Sequence, residues 1–520
     1  MTVRVGRSQR ALGSALTVAA LVAITAATIG PASAGASART TTSAGNPAHI
    51  TAQTRNGRVV ELTISTPAFS GPTHVDIDLP TDYDAQPHRR WPVMYVLAGT
   101  MNTYKSFNNV VSGVKLTKDF PAIVVSPNGD SGYWSDWYNG GAFGAPMYET
   151  FVIDQLIPLI DATFRTDPVR GQRAIAGVSM GGYGALMLAA EHPDLFAYLS
   201  SISGADDSNF APLGAAVSAS STFDGGAVDA IYGPRATQEV RWRGHNPVDL
   251  AGNLATLDLQ VRTANGIPNP GIGEQALSAD TVSCVIEGGV HQGSVDLHDA
   301  LTTLKIPHLW KDYGPGCHTV PNFKREITDT LAVFTKDLAH PRSAPTTFRY
   351  SSIQPAFGIW GWHIANDPAR ALEFLHLSAV SSQGLTLTGS GAVTVTSPPI
   401  FARASSVLIH GATTARAVPG PDGRITFTVD LGRADTQQQY TLGATTVSTS
   451  RTVTFVPQQR AVAASSASRP GRRPVTEPRR SLAATGLPVA AVLTALGLIL
   501  GALTTRRAVP YFRRRTSRRP

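Results

Sequence analysis

The stretch Ile175 to Ala190 reads IAGVSMGGYGALMLAA and places Ser179 between Gly177 and Gly181. A serine hydroxyl is a weak nucleophile by itself. On a sharp turn between a buried strand and a helix it becomes exposed, at a backbone angle tolerated only when the residues two positions away are small. Gly177, Gly181 and Gly182 meet that condition, with an apolar run before the serine and an Ala/Leu-rich run after it. The start of the helix adds free N–H groups and a positive dipole end. The N–H of Met180 is thereby placed to face an oxyanion. The spacing predicts nucleophilic attack by Ser179 on a carbonyl carbon.

Such a nucleophile needs a base and a group to orient it. Of 13 histidines, His318 stands out. It follows a strand ending at Tyr313, in the loop GPGCHTV, downstream of the serine. α/β-Hydrolases carry their groups in the order serine, acid, histidine, so His318 is the expected base. The acid then lies between 179 and 318. Glu287 is the choice, with Asp280, Asp296, Asp299 and Asp312 as alternatives. The only cysteines, Cys284 and Cys317, support it. Cys284 and Glu287 share a helix face at i, i+3, and Cys317 adjoins His318. If Glu287 holds the His318 ring, both sulfurs are brought together, and the bridge would add about 3–4 kcal/mol through loop entropy. A second oxyanion donor usually comes from the loop after an earlier strand. LAGTMNTY follows the strand ending at Ala98, so position assigns that role to the N–H of Thr100.

Several elements must position these groups. VVELTIS (59–65) and THVDIDL (73–79) alternate as half-exposed antiparallel edge strands do. PVMYVLA (92–98), PAIVVSP (121–127) and RAIAG (173–177) suit buried strands, and AYLSSIS (197–203), LDLQVRTA (257–264) and PHLWKDY (307–313) read as further strands. Helical stretches at 148–164, 184–190 and 282–304 alternate with them, which argues an α/β fold with a mostly parallel sheet. From Phe348 to Val456 threonine, valine and serine dominate with period-2 alternation. This suits an all-β, immunoglobulin-like sandwich. The expected organisation is a signal peptide at 1–34, a Ser/Thr/Ala-rich linker at 35–55 and an α/β-hydrolase domain at 56–340. A β-sandwich at 341–458, a polar stalk at 459–481 and a sorting segment at 482–520 follow.

The ends account for the charge. Arg4, Arg7 and Arg10 precede an apolar run and an Ala-x-Ala site, the order of a secretory leader. At the other end come LAATG (Leu482 to Gly486), an apolar run from Leu487 to Leu503, and seven arginines. This resembles a sortase cell-wall sorting signal, cleaved between Thr485 and Gly486. The alternative is an uncleaved membrane anchor. The net charge is +8. The three leader arginines and the seven after Gly486 leave −2 for the processed chain, which removes the case for a nucleic-acid partner. No metal cluster and no cofactor-binding loop stands out.

Residues 56–340 resemble the antigen 85 mycolyltransferases and their esterase D relatives. YVLAGT is similar to the family's oxyanion segment, YWSDWYNG to its Asp-Trp-Tyr loop, YETFVIDQLIPLI to the helix before the nucleophile, and GVSMGGYGALMLAAEHPDLF and YGPGCHTV to the serine and histidine segments. The resemblance implies Ser179, Glu287 and His318 as a triad, and Thr100 and Met180 as oxyanion donors. Trp134, Asp136, Trp137 and Tyr138 are then expected on the acceptor side. Where the family usually reads Asp-Gly-Leu-Arg, with charges that contact trehalose, this chain has Ala98-Gly99-Thr100-Met101, and Val320 replaces an aromatic. The expected function is an exported serine esterase or acyltransferase acting on acyl esters, with water or an envelope sugar as acceptor. A feruloyl or acetyl carbohydrate esterase and a wall-displayed, non-catalytic binding protein are the alternatives.

Overall fold

The computed structural model describes residues 46–275 and 277–459. The leader, the stalk beyond Gln459 and the sorting segment with Leu482, Thr485 and Gly486 lie outside these residues. No helix among the described residues is long and apolar enough to cross a membrane.

Nine strands form one sheet: β1 (His49–Asn56), β2 (Val59–Ser65), β3 (Thr73–Asp78), β4 (Val93–Leu97), β5 (Ile123–Pro127), β6 (Arg173–Val178), β7 (Tyr198–Ile202), β8 (Asp258–Thr263) and β9 (Leu309–Asp312). Their order is β1-β2-β3-β5-β4-β6-β7-β8-β9. The first three strands pair antiparallel, and β5 through β9 run parallel. The parallel strands other than the edge strand β9, which is mostly exposed, are buried because helices cover both faces. Val93, Tyr95 and Leu97 of β4 enter one apolar core, and Met94 and Val96 enter the other. Four helices matter for the site: α1 (Met180–Glu191), α2 (Ala211–Ser220), α3 (Leu277–Thr303) and α4 (Val320–Leu338). This is the α/β-hydrolase arrangement.

Two expectations need correction. Residues 49–55 are not linker. They form β1, whose side chains are almost all exposed, so no apolar period marks it. Its ladder on β2 holds it, through a two-residue hairpin loop at Gly57 and Arg58, with Gly57 at φ 62°. Glycine at the first of two loop residues is a hairpin signal. Nor is β3 half-exposed. Asp76 and Asp78 are buried, and both accept from the Asn108 side chain. Burial raises both carboxyls, Asp76 to about 6.

Beyond residue 347, six-stranded and four-stranded antiparallel sheets share one core that includes Trp362, Leu377, Val395, Val407 and Phe427. This β-module is fastened to the end of α1. Buried Asn253 donates to Ala190 O (3.0 Å) and Ser351 O (2.9 Å) and accepts from Ser351 N (2.8 Å). The Tyr350 hydroxyl donates to Glu191 O at 2.8 Å. At 1.5 Å per residue, the far end of the 12-residue helix is about 18 Å from its start. The fastening is therefore remote from Ser179.

Asn253→Ala removes the staple and strands buried backbone groups. It should cost about 2–3 kcal/mol, read as a lower melting temperature, with turnover of a small soluble ester within twofold of the parent. An unchanged melting curve would show that the staple contributes nothing.

Candidate active site

Ser179 ends β6 and caps α1 with φ 60° and ψ −122°. Few residues other than glycine adopt such angles, and the strain is about 1–3 kcal/mol. Packing imposes it. A Cβ on Gly177 would lie 1.9 Å from Gly181 O, and one on Gly181 would lie 2.0 Å from Leu97 O. Only hydrogen fits at either place, which explains both glycines of the motif. The Ser179 backbone is tied by its N–H to Ile202 O (3.0 Å) and by its carbonyl to the N–H of Gly182 and Ala205 (2.9 and 3.2 Å). Its hydroxyl does not cap the helix.

The N–H groups of Thr100 and Met180 have no acceptor among the described residues. Thr100 follows β4, and Met180 begins α1. Two unpaired donors beside the serine are what a developing oxyanion requires.

His318 sits in the loop between β9 and α4. Its Nδ1 is 2.7 Å from Glu287 Oε2, its backbone N–H donates to Ser283 O at 3.0 Å, and its ring meets Phe323 edge-on at 4.8 Å. Cys284 and Cys317 form a disulfide one helical turn from Glu287 and one residue from His318. The bridge and the carboxylate–imidazole bond therefore close the same gap between α3 and the histidine loop.

Glu287 is fully buried. Its Oε1 accepts from Ser203 Oγ (2.7 Å) and from Ala264 N (2.9 Å). Asp296 and Asp312 instead accept from Gln292 and from Gly314 N near the surface. The ring of His318 is bonded to neither of these, nor to Asp299. The side chain of Asp280 lies outside the described residues.

Ser179 and His318 both line a cavity of about 520 Å³. Its walls are mainly apolar, with Phe107, Val111, Leu213, Phe223, Phe323 and Ile327 among them. The hydrogen bond from Ser179 to His318 is not closed in this conformation. Such catalytic contacts are commonly long without substrate and tighten when it binds.

Trp134, Asp136, Trp137 and Tyr138 do not line this cavity. Trp134 and Trp137 are buried and donate to Ala98 O and Gly132 O. Asp136 accepts from the backbone and hydroxyl of Thr150 (3.0 and 2.6 Å). Tyr138 packs edge-on against Phe143. These groups brace the loop, and neighbouring Tyr133 is the one at the cavity wall. Residue type alone could not separate an aromatic brace from an aromatic lining.

Three residues of the site escaped the motif reading. Ser203 holds Glu287, and Glu326 lies on the other side of that serine. Glu274 accepts from Cys317 N (2.9 Å), from Asn269 N (2.8 Å) and from the Thr319 hydroxyl, which pins the histidine loop. None lies at a spacing that a motif would show.

A family described as "putative esterase" matches residues 66–286, a stretch that contains Thr100, Ser179 and Met180 and stops before Glu287 and His318. Esterase Rv1288 of Mycobacterium tuberculosis (strain H37Rv) is 32% identical over 251 residues, covering 47% of this chain and 52% of that protein. The chain thus spans about half the length of the curated relatives it matches. The diacylglycerol acyltransferase/mycolyltransferase Ag85B of Mycobacterium leprae is 28% identical over 270 residues, covering 48% of this chain and 78% of that one. Among solved structures, MPT51 (FbpC1) of Mycobacterium tuberculosis superposes with a TM-score of 0.43 at 20% identity, covering 53% of this chain and 97% of that chain. Over residues 66–286 the chain thus matches an esterase family, and in that stretch it is similar to the antigen 85 mycolyltransferases.

Proposed function

We propose that the chain is an exported serine esterase or acyltransferase that works through Ser179, His318 and Glu287. The observation that carries this reading is the 2.7 Å bond between Glu287 and His318 in the cavity shared with the strained Ser179. His318 takes the Ser179 proton at Nε2 as Oγ attacks the ester carbonyl. Glu287, bonded to Nδ1, fixes the tautomer and balances the imidazolium. The N–H groups of Met180 and Thr100 hold the oxyanion. Collapse of the tetrahedral intermediate breaks the ester C–O bond, and the imidazolium gives its proton to the departing alcohol. Water or a sugar hydroxyl then attacks the acyl-serine by the same steps in reverse.

The apolar cavity supports an acyl chain as the group transferred. Ala98 and Met101 stand where the family's trehalose-contacting charges would be, so the rim offers no charged grip on a disaccharide. The leader order and the disulfide support export, since disulfides persist outside the cytosol. LAATG supports attachment to the wall. The size and antiparallel sheets of the β-module support an immunoglobulin-like spacer or glycan-binding part.

A fluorophosphonate probe should label the protein, and Ser179→Ala should abolish labelling; an unlabelled parent would favour a binding role. Glu287→Gln should lower kcat by about 10³–10⁴, and unchanged turnover would remove Glu287 from the triad. Across a series of straight-chain esters, kcat/KM should rise roughly fourfold per methylene, the equivalent of ~0.8 kcal/mol each, until the cavity is full. A flat series, or a preference for acetate, would refute an acyl-filled cavity.

A further inference from the structure

Ser203 lies between two buried carboxyl groups. Its Oγ is 2.7 Å from Glu287 Oε1 and 3.1 Å from Glu326 Oε2. Both glutamates and Ser203 are fully buried. A hydroxyl has one proton, so it cannot donate to both. Two anions facing each other across one hydroxyl, away from water, are also strongly disfavoured. One carboxyl must therefore carry the second proton.

The donors around the pair identify which one. Glu287 receives hydrogen bonds from Ser203, Ala264 N and His318. Beyond Ser203, Glu326 receives only Asn322 Nδ2, at 3.2 Å. The nearby cations are engaged elsewhere. Arg262 donates to Gln260 and to the Tyr313 hydroxyl, and it faces Asp329 at 3.8 Å. Arg325 donates to Asn322 and Pro315 O. Thus Glu287 has the surroundings of an anion and Glu326 those of a neutral acid. Burial, reinforced by the Glu287 charge, pushes the Glu326 carboxyl well above the usual carboxylate range.

We propose that Glu326 is a positioning residue: as the neutral acid it donates to Ser203 Oγ, which turns the Ser203 proton onto Glu287 and holds Glu287 as the anion that orients His318. The donors run from α4 through the end of β7 to α3, where Glu287 accepts from Ser203 on one oxygen and from the imidazole on the other. The inference rests on the Ser179–His318–Glu287 reading above.

The test is steady-state kinetics on a soluble ester across pH for the parent, Glu326→Leu, Glu326→Gln, Ser203→Ala and the Ser203→Ala/Glu326→Leu double variant. Folding is monitored by melting temperature. Glu326→Leu should lower kcat roughly tenfold, the scale of one hydrogen bond to a charged group, with KM within twofold. Glu326→Gln, whose amide N–H donates as the acid does, should recover most of that loss. In the Ser203→Ala background, Glu326→Leu should change kcat by less than twofold. Burial and the Glu287 charge raise the pH at which the Glu326 carboxyl ionises, so parent kcat should fall as rising pH removes that proton. Glu326→Gln cannot ionise and should lack that fall.

A Glu326→Gln variant as impaired as Glu326→Leu, multiplying effects in the double variant, or the same decline with rising pH retained in Glu326→Gln would each overturn the proposal. If Glu326→Leu does not fold, the Glu326→Gln profile decides by itself. Fluorophosphonate labelling separates the two levels. A parent that neither labels nor turns over defeats the triad, and a parent that does both while the Glu326 series fails defeats only this inference.

Discussion

A fully buried carboxylate at residue 287 is the constraint around which the site is arranged. An isolated charge in such a place is prohibitive, and it is tolerated only when hydrogen bonds take the place of water. Three donors from three parts of the chain do so: Ser203 at the end of β7, Ala264 N after β8, and His318 after β9. Each fixes one edge of the site. If the loop carrying His318 moved away, Glu287 would lose a partner at a large cost. The imidazole is therefore held in one orientation, with Nδ1 as donor and Nε2 left for the substrate side. The Cys284–Cys317 bridge keeps the helix and the loop in register while that bond forms.

Ser179 is fixed by a different means. Backbone hydrogen bonds to Ile202, Gly182 and Ala205 hold its strained angles, and β4, β6 and α1 approach so closely that Gly177 and Gly181 leave no room for a Cβ. One half of the site is thus set by sterics at the sheet centre and the other by electrostatics near its edge. They meet because parallel strands present their C-terminal ends on one side, where ligands of open α/β sheets are bound.

Legibility in the sequence followed this division. The steric half is written locally, as small residues at fixed offsets between a buried strand and a helix. Ser179 and Met180 could be read from a dozen residues. The order of strands and the i, i+3 relation of Cys284 to Glu287 extended the reading to His318. The electrostatic half is long-range. Ser203 and Glu326 lie 84 and 123 residues apart from their partners in the chain, and their roles depend on the shared burial of groups that look like any serine or glutamate. Trp134, Asp136, Trp137 and Tyr138 show the converse failure. Their chemical types suit a binding wall, yet tertiary packing turned them inward. β1 was missed because an edge strand with polar side chains on both faces has no apolar period. Its only local mark is the glycine of the Gly57-Arg58 turn.

The position of the β-module bears on where acceptor choice resides. Asn253 and Tyr350 fasten the module at residues 190 and 191, the end of α1 away from Ser179. The residues around Ser179 come from the α/β domain alone: the loop after β4, α2, α3 and the start of α4 among them. On the proposed chemistry, selection of the acyl chain and exclusion of water depend on those apolar walls. The segment Ala98–Met101 sits at the same cavity, where a change from charged to uncharged side chains alters what the attacking hydroxyl group meets. On the proposed chemistry, acceptor preference is accordingly set within a few residues of Thr100, while the β-module is fastened at the far end of α1 from Ser179.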